Sequence, residues 1–212
     1  MKRLPNEQIV KIVVVIWYLV GIFGFMNRSL QPIFQKLTPI GMLMAAVLLM
    51  VFHEPKNRRS WLIFTGIVLF GFVVELIGVN TQLLFGFYKY GNSLGFKIWN
   101  TPLVIGFNWL VLVYCISALG KSMRDSWYFP LIGASIMVIF DWLMEPVAQA
   151  TDMWYWAFDT IPQKNYIDWF LVSGFLFLMI RMLKVEINNR LAGVLLLMQF
   201  VFFLTLNLLM RI

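Results

Sequence analysis

Seven apolar runs, each close to the length of a membrane crossing, fill most of this chain. A helix spans the hydrocarbon of a bilayer with about 20 residues, in a range of about 17–25. The runs fall at Ile9–Met26, Leu37–Phe52, Trp61–Val79, Thr101–Leu119, Pro130–Val147, Ile167–Leu183 and Leu191–Met210, the second being the shortest. Composition agrees: 61% of residues are hydrophobic and 13% charged, where soluble domains hold about 45–50% and about 25%. The chain therefore reads as all-α, a polytopic membrane helix bundle of about seven transmembrane helices. It reads as one integral-membrane domain over residues 1–212, with no linker or internal repeat. Ser60 is the expected N-cap of the third helix, and Pro102 and Pro130 suit first turns.

A net charge of +7 does not mark a nucleic-acid partner, because the cations lie in short loops between apolar spans and read as solvated, membrane-facing groups. Seven crossings put Lys2, Arg3, Lys11, Lys56, Arg58, Arg59, Lys121, Arg124, Arg181, Lys184 and Arg190 on one side. Arg28, Lys36, Lys89, Lys97, Lys164 and Arg211 fall on the other. Cations favour the cytoplasm, so the N-terminus is expected there. Lys2 and Arg3 before an apolar run resemble a signal peptide, yet no small-x-small cleavage site follows, and the run is expected to stay as the first helix.

Carboxylates inside apolar runs single out the functional region. Such a group costs about 2.5–3.5 kcal/mol on insertion scales and tends to face a cavity, a partner or a substrate. Glu75 lies in the third run, and Asp141 and Glu145 in the fifth. In the expected topology all three belong to the outer half, with Asp168 at the outer surface opening the sixth helix. Asp141 and Glu145 are four apart and share one helix face. Two close carboxylates in a dry site resist double ionisation, so one can remain a general acid while the other accepts a proton or holds water. The bland alternative is a pair of structural acids bonded to other helices. Pro146, directly after Glu145, is expected to kink or end the helix there.

Two outer loops are aromatic. One reads Leu84-Phe85-Gly86-Phe87-Tyr88-Lys89-Tyr90-Gly91, and the other holds Trp154-Tyr155-Trp156 and Asn165-Tyr166-Ile167-Asp168-Trp169. Tyr and Trp anchor helices at membrane interfaces, and aromatic faces also stabilise developing cations. Asn108, beside Trp109, lies midway through the fourth run and would bridge helices or orient a polar group. Cys115 reads as packing. His53 is the only histidine and reads as part of a charged loop, which excludes histidine-rich di-iron chemistry. No glycine fingerprint for a dinucleotide is present, and the last run lacks a lysine for a retinal Schiff base.

An ordered set of motifs carries a family resemblance. Phe85-Gly86-x-Tyr88-x-Tyr90 is followed by Thr101-Pro102-Leu103-Val104-Ile105-Gly106-x-Asn108-Trp109, then by Asp141-x-x-x-Glu145-Pro146-Val147-Ala148. Trp154-x-Trp156 and Pro162-x-x-Asn165-Tyr166-x-x-Trp169 complete it. In this order the chain resembles the membrane carotenoid-biosynthesis proteins, among them the carotenoid 1′,2′-hydratases and bisanhydrobacterioruberin hydratase. The resemblance implies a multi-pass protein of a bacterial inner membrane that adds water to the terminal ψ-end double bond of a carotenoid such as lycopene or γ-carotene. It implies a hydro-lyase whose partners are the carotenoid, water and the lipid bilayer, with no cofactor and no metal. Asp141, Glu145 and Glu75 would be catalytic. Tyr88, Tyr90, Trp154, Trp156 and Trp169 would line the end-group pocket with Trp109, and Asn108 and Asn165 would orient water or a carboxylate.

Other readings stay open on sequence. Asp141-x-x-x-Glu145 could hold magnesium and a diphosphate in a membrane prenyltransferase, and a carotenoid cyclase also starts from a protonated alkene. Intramembrane acids serve proton-coupled transporters too, and a pigment-binding scaffold needs no chemistry. The oligomeric state is not legible.

Overall fold

The structure, a computed structural model, describes residues 7–210. Lys2, Arg3 and Arg211, used above in counting charges, lie outside the described residues. Among the described residues, seven helices are long and apolar enough to cross a membrane. They are α1 Glu7–Met26, α2 Gln31–Val51, α3 Arg58–Thr81, α4 Ile105–Leu119, α5 Phe129–Ala150, α6 Gln163–Met182 and α7 Ala192–Met210. Among the described residues four short strands accompany them: β1 Tyr88–Tyr90, β2 Lys97–Ile98, β3 Thr101–Pro102 and β4 Trp154–Trp156.

Helix α4 is the axis of the bundle. Twelve of its fifteen residues are buried, the pattern of a helix that is apolar all round and packed on every side. It contacts α2, α3, α5, α6 and α7. Helix α5 lies along α6, and α1 lies along α7. The outer helices turn apolar side chains such as Phe23, Leu62 and Leu208 outward, as a surface meeting lipid requires.

Several expected boundaries move. The short second run, Leu37–Phe52, is the C-terminal part of a 21-residue helix that begins with Gln31-Pro32 and has Phe52 as its C-cap. Asn57, not Ser60, caps α3: its side chain accepts a 2.8 Å hydrogen bond from the Ser60 N–H. Pro102 does not start α4 but sits in β3, paired with Lys97. Helix α5 runs through Pro146 to Ala150, so it does not end there. Helix α6 begins five residues before Asp168, which is buried within it rather than opening the helix at the surface.

The end carrying the α2–α3, α4–α5 and α6–α7 connections is tied together by backbone and side-chain bonds. Glu54 and Asn188 exchange N–H···O bonds of 3.0 and 2.9 Å. Arg124, expected to be solvated, is buried and donates to the carbonyls of Val185, Ser117 and Ile187. His53 is not in an open charged loop either. It is fully buried, with Nδ1 2.8 Å from the Tyr114 hydroxyl.

The opposite end holds the longer loops. There β1 pairs antiparallel with β4, matching Tyr88 to Trp156 and Tyr90 to Trp154. Side chains alternate across a strand, so Tyr88, Tyr90, Trp154 and Trp156 share the face that looks into the bundle, while Lys89 and Tyr155 look away.

Candidate functional site

Beneath that aromatic sheet the three intramembrane carboxylates meet. Glu75 comes from the last two turns of α3, Asp141 and Glu145 from α5, and all three are buried. They line one chamber of about 20 Å³ together with Tyr88, Trp156 and Asn165. That is room for about one water molecule.

Each carboxylate has its own set of donors. Glu75 Oε2 accepts from the hydroxyls of Tyr88 at 2.7 Å and Tyr90 at 2.6 Å, and Oε1 accepts from Trp109 Nε1 at 3.0 Å. Glu145 Oε2 accepts from Trp154 Nε1 at 2.9 Å and Trp156 Nε1 at 2.6 Å. Asn165, in the first turn of α6, spends both amide hydrogens here: Nδ2 lies 2.6 Å from Asp141 Oδ2 and 3.2 Å from Glu145 Oε1. Glu75 and Glu145 thus accept three hydrogen bonds each, and Asp141 accepts one. Asp141 Oδ1 is buried and has no hydrogen-bond partner among the described residues. An oxygen left this way costs about 1–3 kcal/mol.

The donors are themselves held. Burial first, and then the Glu75 charge, push the hydroxyls of Tyr88 and Tyr90 well above their ordinary 10.0, so both keep their protons and donate. Trp109 stacks on Trp169 with ring centroids 4.5 Å apart. The loop before β1 is fixed by Asp168, whose Oδ2 accepts from the Phe85 N–H at 2.6 Å and pairs with Lys164 at 2.6 Å. Phe85 has φ of 65°, uncommon for a bulky residue. Gly86 follows at φ 118°, where a Cβ would meet the Pro162 ring at 2.7 Å.

The structure brings together Glu75, Asp141, Glu145, Tyr88, Tyr90, Trp109, Trp154, Trp156, Asn165 and Trp169 of the residues singled out in the sequence. It separates Asn108, which faces a second cavity between α1, α2, α4, α5 and α7. The aromatic residues also differ from expectation in what they do. Tyr88, Tyr90, Trp109, Trp154 and Trp156 hydrogen-bond the carboxylates rather than only forming a wall. Met144, which also lines the acid chamber, carries no signal in the sequence beyond apolarity.

Fold and site together define a polytopic membrane protein with a buried acid cluster, roofed by tyrosine and tryptophan, at one end of its helix bundle. The chain belongs to the carotenoid biosynthesis protein family, whose model matches residues 37–212. It is similar to the bisanhydrobacterioruberin hydratase of Haloarcula japonica, with 28% identity over 131 residues, covering 56% of this chain and 43% of that protein. The chain thus spans less than half the length of that relative. No solved structure matches it.

Proposed function

We propose that the protein is a carotenoid hydratase, adding water across the terminal 1′,2′ double bond of an acyclic or monocyclic carotenoid such as lycopene or γ-carotene. The observation that carries this reading is Asp141 Oδ1, buried without a partner among the described residues and belonging to a carboxyl that lines the one-water chamber with Glu145. Family membership supports a carotenoid as substrate, and the name of the Haloarcula relative supports hydration.

The donor sets suggest the division of labour. Three hydrogen bonds suit an anionic carboxylate, as at Glu75 and Glu145. One donor and a bare oxygen suit a carboxylic acid whose O–H is free to be delivered. Asp141 then gives its proton to C2′ of the alkene, and the π pair forms the new C–H bond. Positive charge is left on the tertiary carbon C1′. The water attacks C1′ and loses a proton to Glu145, leaving a tertiary alcohol, and a following water returns that proton to Asp141. The sum is alkene plus water. Indole and phenol faces around the chamber stabilise the cationic step with their negative π clouds. Glu75, with its charge fixed by Tyr88, Tyr90 and Trp109, stabilises the same cation from the α3 side.

In this reading the protein lies in a bacterial inner membrane with its N-terminus in the cytoplasm and the acid chamber in the outer half. The test is expression in cells that make lycopene or γ-carotene. A product heavier by one water supports hydration. A product of unchanged mass would mean cyclisation, and unconverted pigment that stays bound would mean a scaffold.

A further inference from the structure

The chamber of about 20 Å³ holds a water but not the branched end of a carotenoid, so the substrate must reach Asp141 from a neighbouring space. One such space adjoins it. A cavity of about 260 Å³ lies between α1, α2, α4, α5 and α7, and it shares Ile105, Met144 and Trp154 with the acid chamber. These three side chains are a common wall.

The cavity has the character of a berth for hydrocarbon. Apolar and aromatic side chains make most of its lining. At its lip stand Trp17, Val20 and Leu37, exposed on the face of the bundle that meets lipid. A molecule dissolved in the membrane interior can enter there without crossing water. The three wall residues differ in freedom. Trp154 is held to Glu145 by its indole N–H, and Ile105 is β-branched and restricted at χ1. Met144 is unbranched, with three rotatable bonds.

We propose that this cavity holds the segment of an acyclic polyene substrate next to its reacting end, and that Met144 is the movable part of the wall through which the terminal group reaches Asp141 and Glu145. This rests on the hydratase reading for the identity of the substrate. It adds where the chain lies and which side chain admits its end.

The test separates binding from turnover. Asp141→Asn protein, purified from cells that make lycopene, is read for pigment per protein and for circular dichroism in the visible band. Lycopene is achiral, so a visible signal reports a chiral site. Gly41 faces the Trp17 indole at the cavity wall, with a Cβ there 3.5 Å from Nε1. Gly41→Trp, or Thr38→Phe as a second filler, is expected to cut bound pigment and its dichroism at least 10-fold in folded, monodisperse protein. Met144→Ile, stiffer at χ1, is expected to keep the pigment and to slow conversion at least 10-fold when Asp141 is restored. Pigment and dichroism unchanged in both fillers would overturn the berth, even if wild-type protein hydrates lycopene. Pigment lost in the fillers while wild-type protein never adds water would keep the berth and overturn both the hydratase reading and the role of Met144. Conversion at the wild-type rate in Met144→Ile would overturn that role alone.

Discussion

Asp141 and Glu145, one turn apart on α5, are joined through a single amide: Asn165 Nδ2 reaches Asp141 Oδ2 at 2.6 Å and Glu145 Oε1 at 3.2 Å. A side chain from another helix thus sets the spacing and tilt of both acids. Replacing Asn165 with Leu keeps much of the volume and removes both hydrogen bonds. Conversion of the carotenoid is expected to fall about 10²-fold or more, the range for a misplaced acid–base pair. The fold should weaken by about 1–3 kcal/mol as buried oxygens lose their donor. Product yield and the thermal midpoint of purified protein check the two effects together.

Trp154 and Trp156 both donate to Glu145 Oε2. Trp→Phe at either position removes one N–H and keeps a ring, so each single variant is expected to retain part of the activity. The double variant leaves Oε2 bare. Its loss in rate should exceed the product of the single losses, with a coupling of about 0.5–3 kcal/mol. Initial rates on the four proteins of the cycle decide it, and strict additivity would mean that the two indoles serve only as packing.

Gly71 on α3 lies under the indole that reaches Glu75. A Cβ there would stand 2.7 Å from Cβ and Cγ of Trp109. Gly71→Ala should therefore push Trp109 off Glu75 and off its stack on Trp169, costing about 1–3 kcal/mol from overpacking. A lower thermal midpoint with a blue or red shift in tryptophan emission is the expected signature. Gly66, with open space around its Cβ position, is the control, and Gly66→Ala should leave both unchanged.

His53 gives a pH dependence unrelated to the acid chamber. Burial lowers its affinity for a proton below the ordinary 6.5. The unfolded chain then binds a proton that the folded chain resists, so stability is full above about 6.5 and declines as pH falls through and below that value. His53→Gln should flatten this part of the profile while leaving conversion at neutral pH intact, because His53 lies at the other end of the bundle. Thermal midpoints of both proteins between pH 8 and pH 5 provide the comparison.

The acids were legible in the sequence because a carboxylate in an apolar run is costly enough to need a reason, and Glu75, Asp141 and Glu145 do meet in one chamber. Their donors were visible as aromatic loops but not as hydrogen-bond partners. Strands of three residues, with Tyr88 pairing to Trp156, leave too little pattern to set a register. Asn108 parts from its neighbour: successive helix positions turn by about 100°, so Trp109 reaches Glu75 while Asn108 faces the other cavity. His53 was judged by the charged residues beside it in the chain, whereas Tyr114, 61 positions on, decides its surroundings. Pro146 removes only its own N–H, and the packing of α5 along α6 carries the helix past it.

The most direct measurement of the central claim is conversion of lycopene by purified protein in water enriched in oxygen-18. Wild-type protein should give a product carrying one labelled hydroxyl, while Asp141→Asn, folded to the same thermal midpoint, should give none. Product formed by Asp141→Asn at the wild-type rate would contradict proton delivery from this carboxyl, and product without the label would contradict hydration itself.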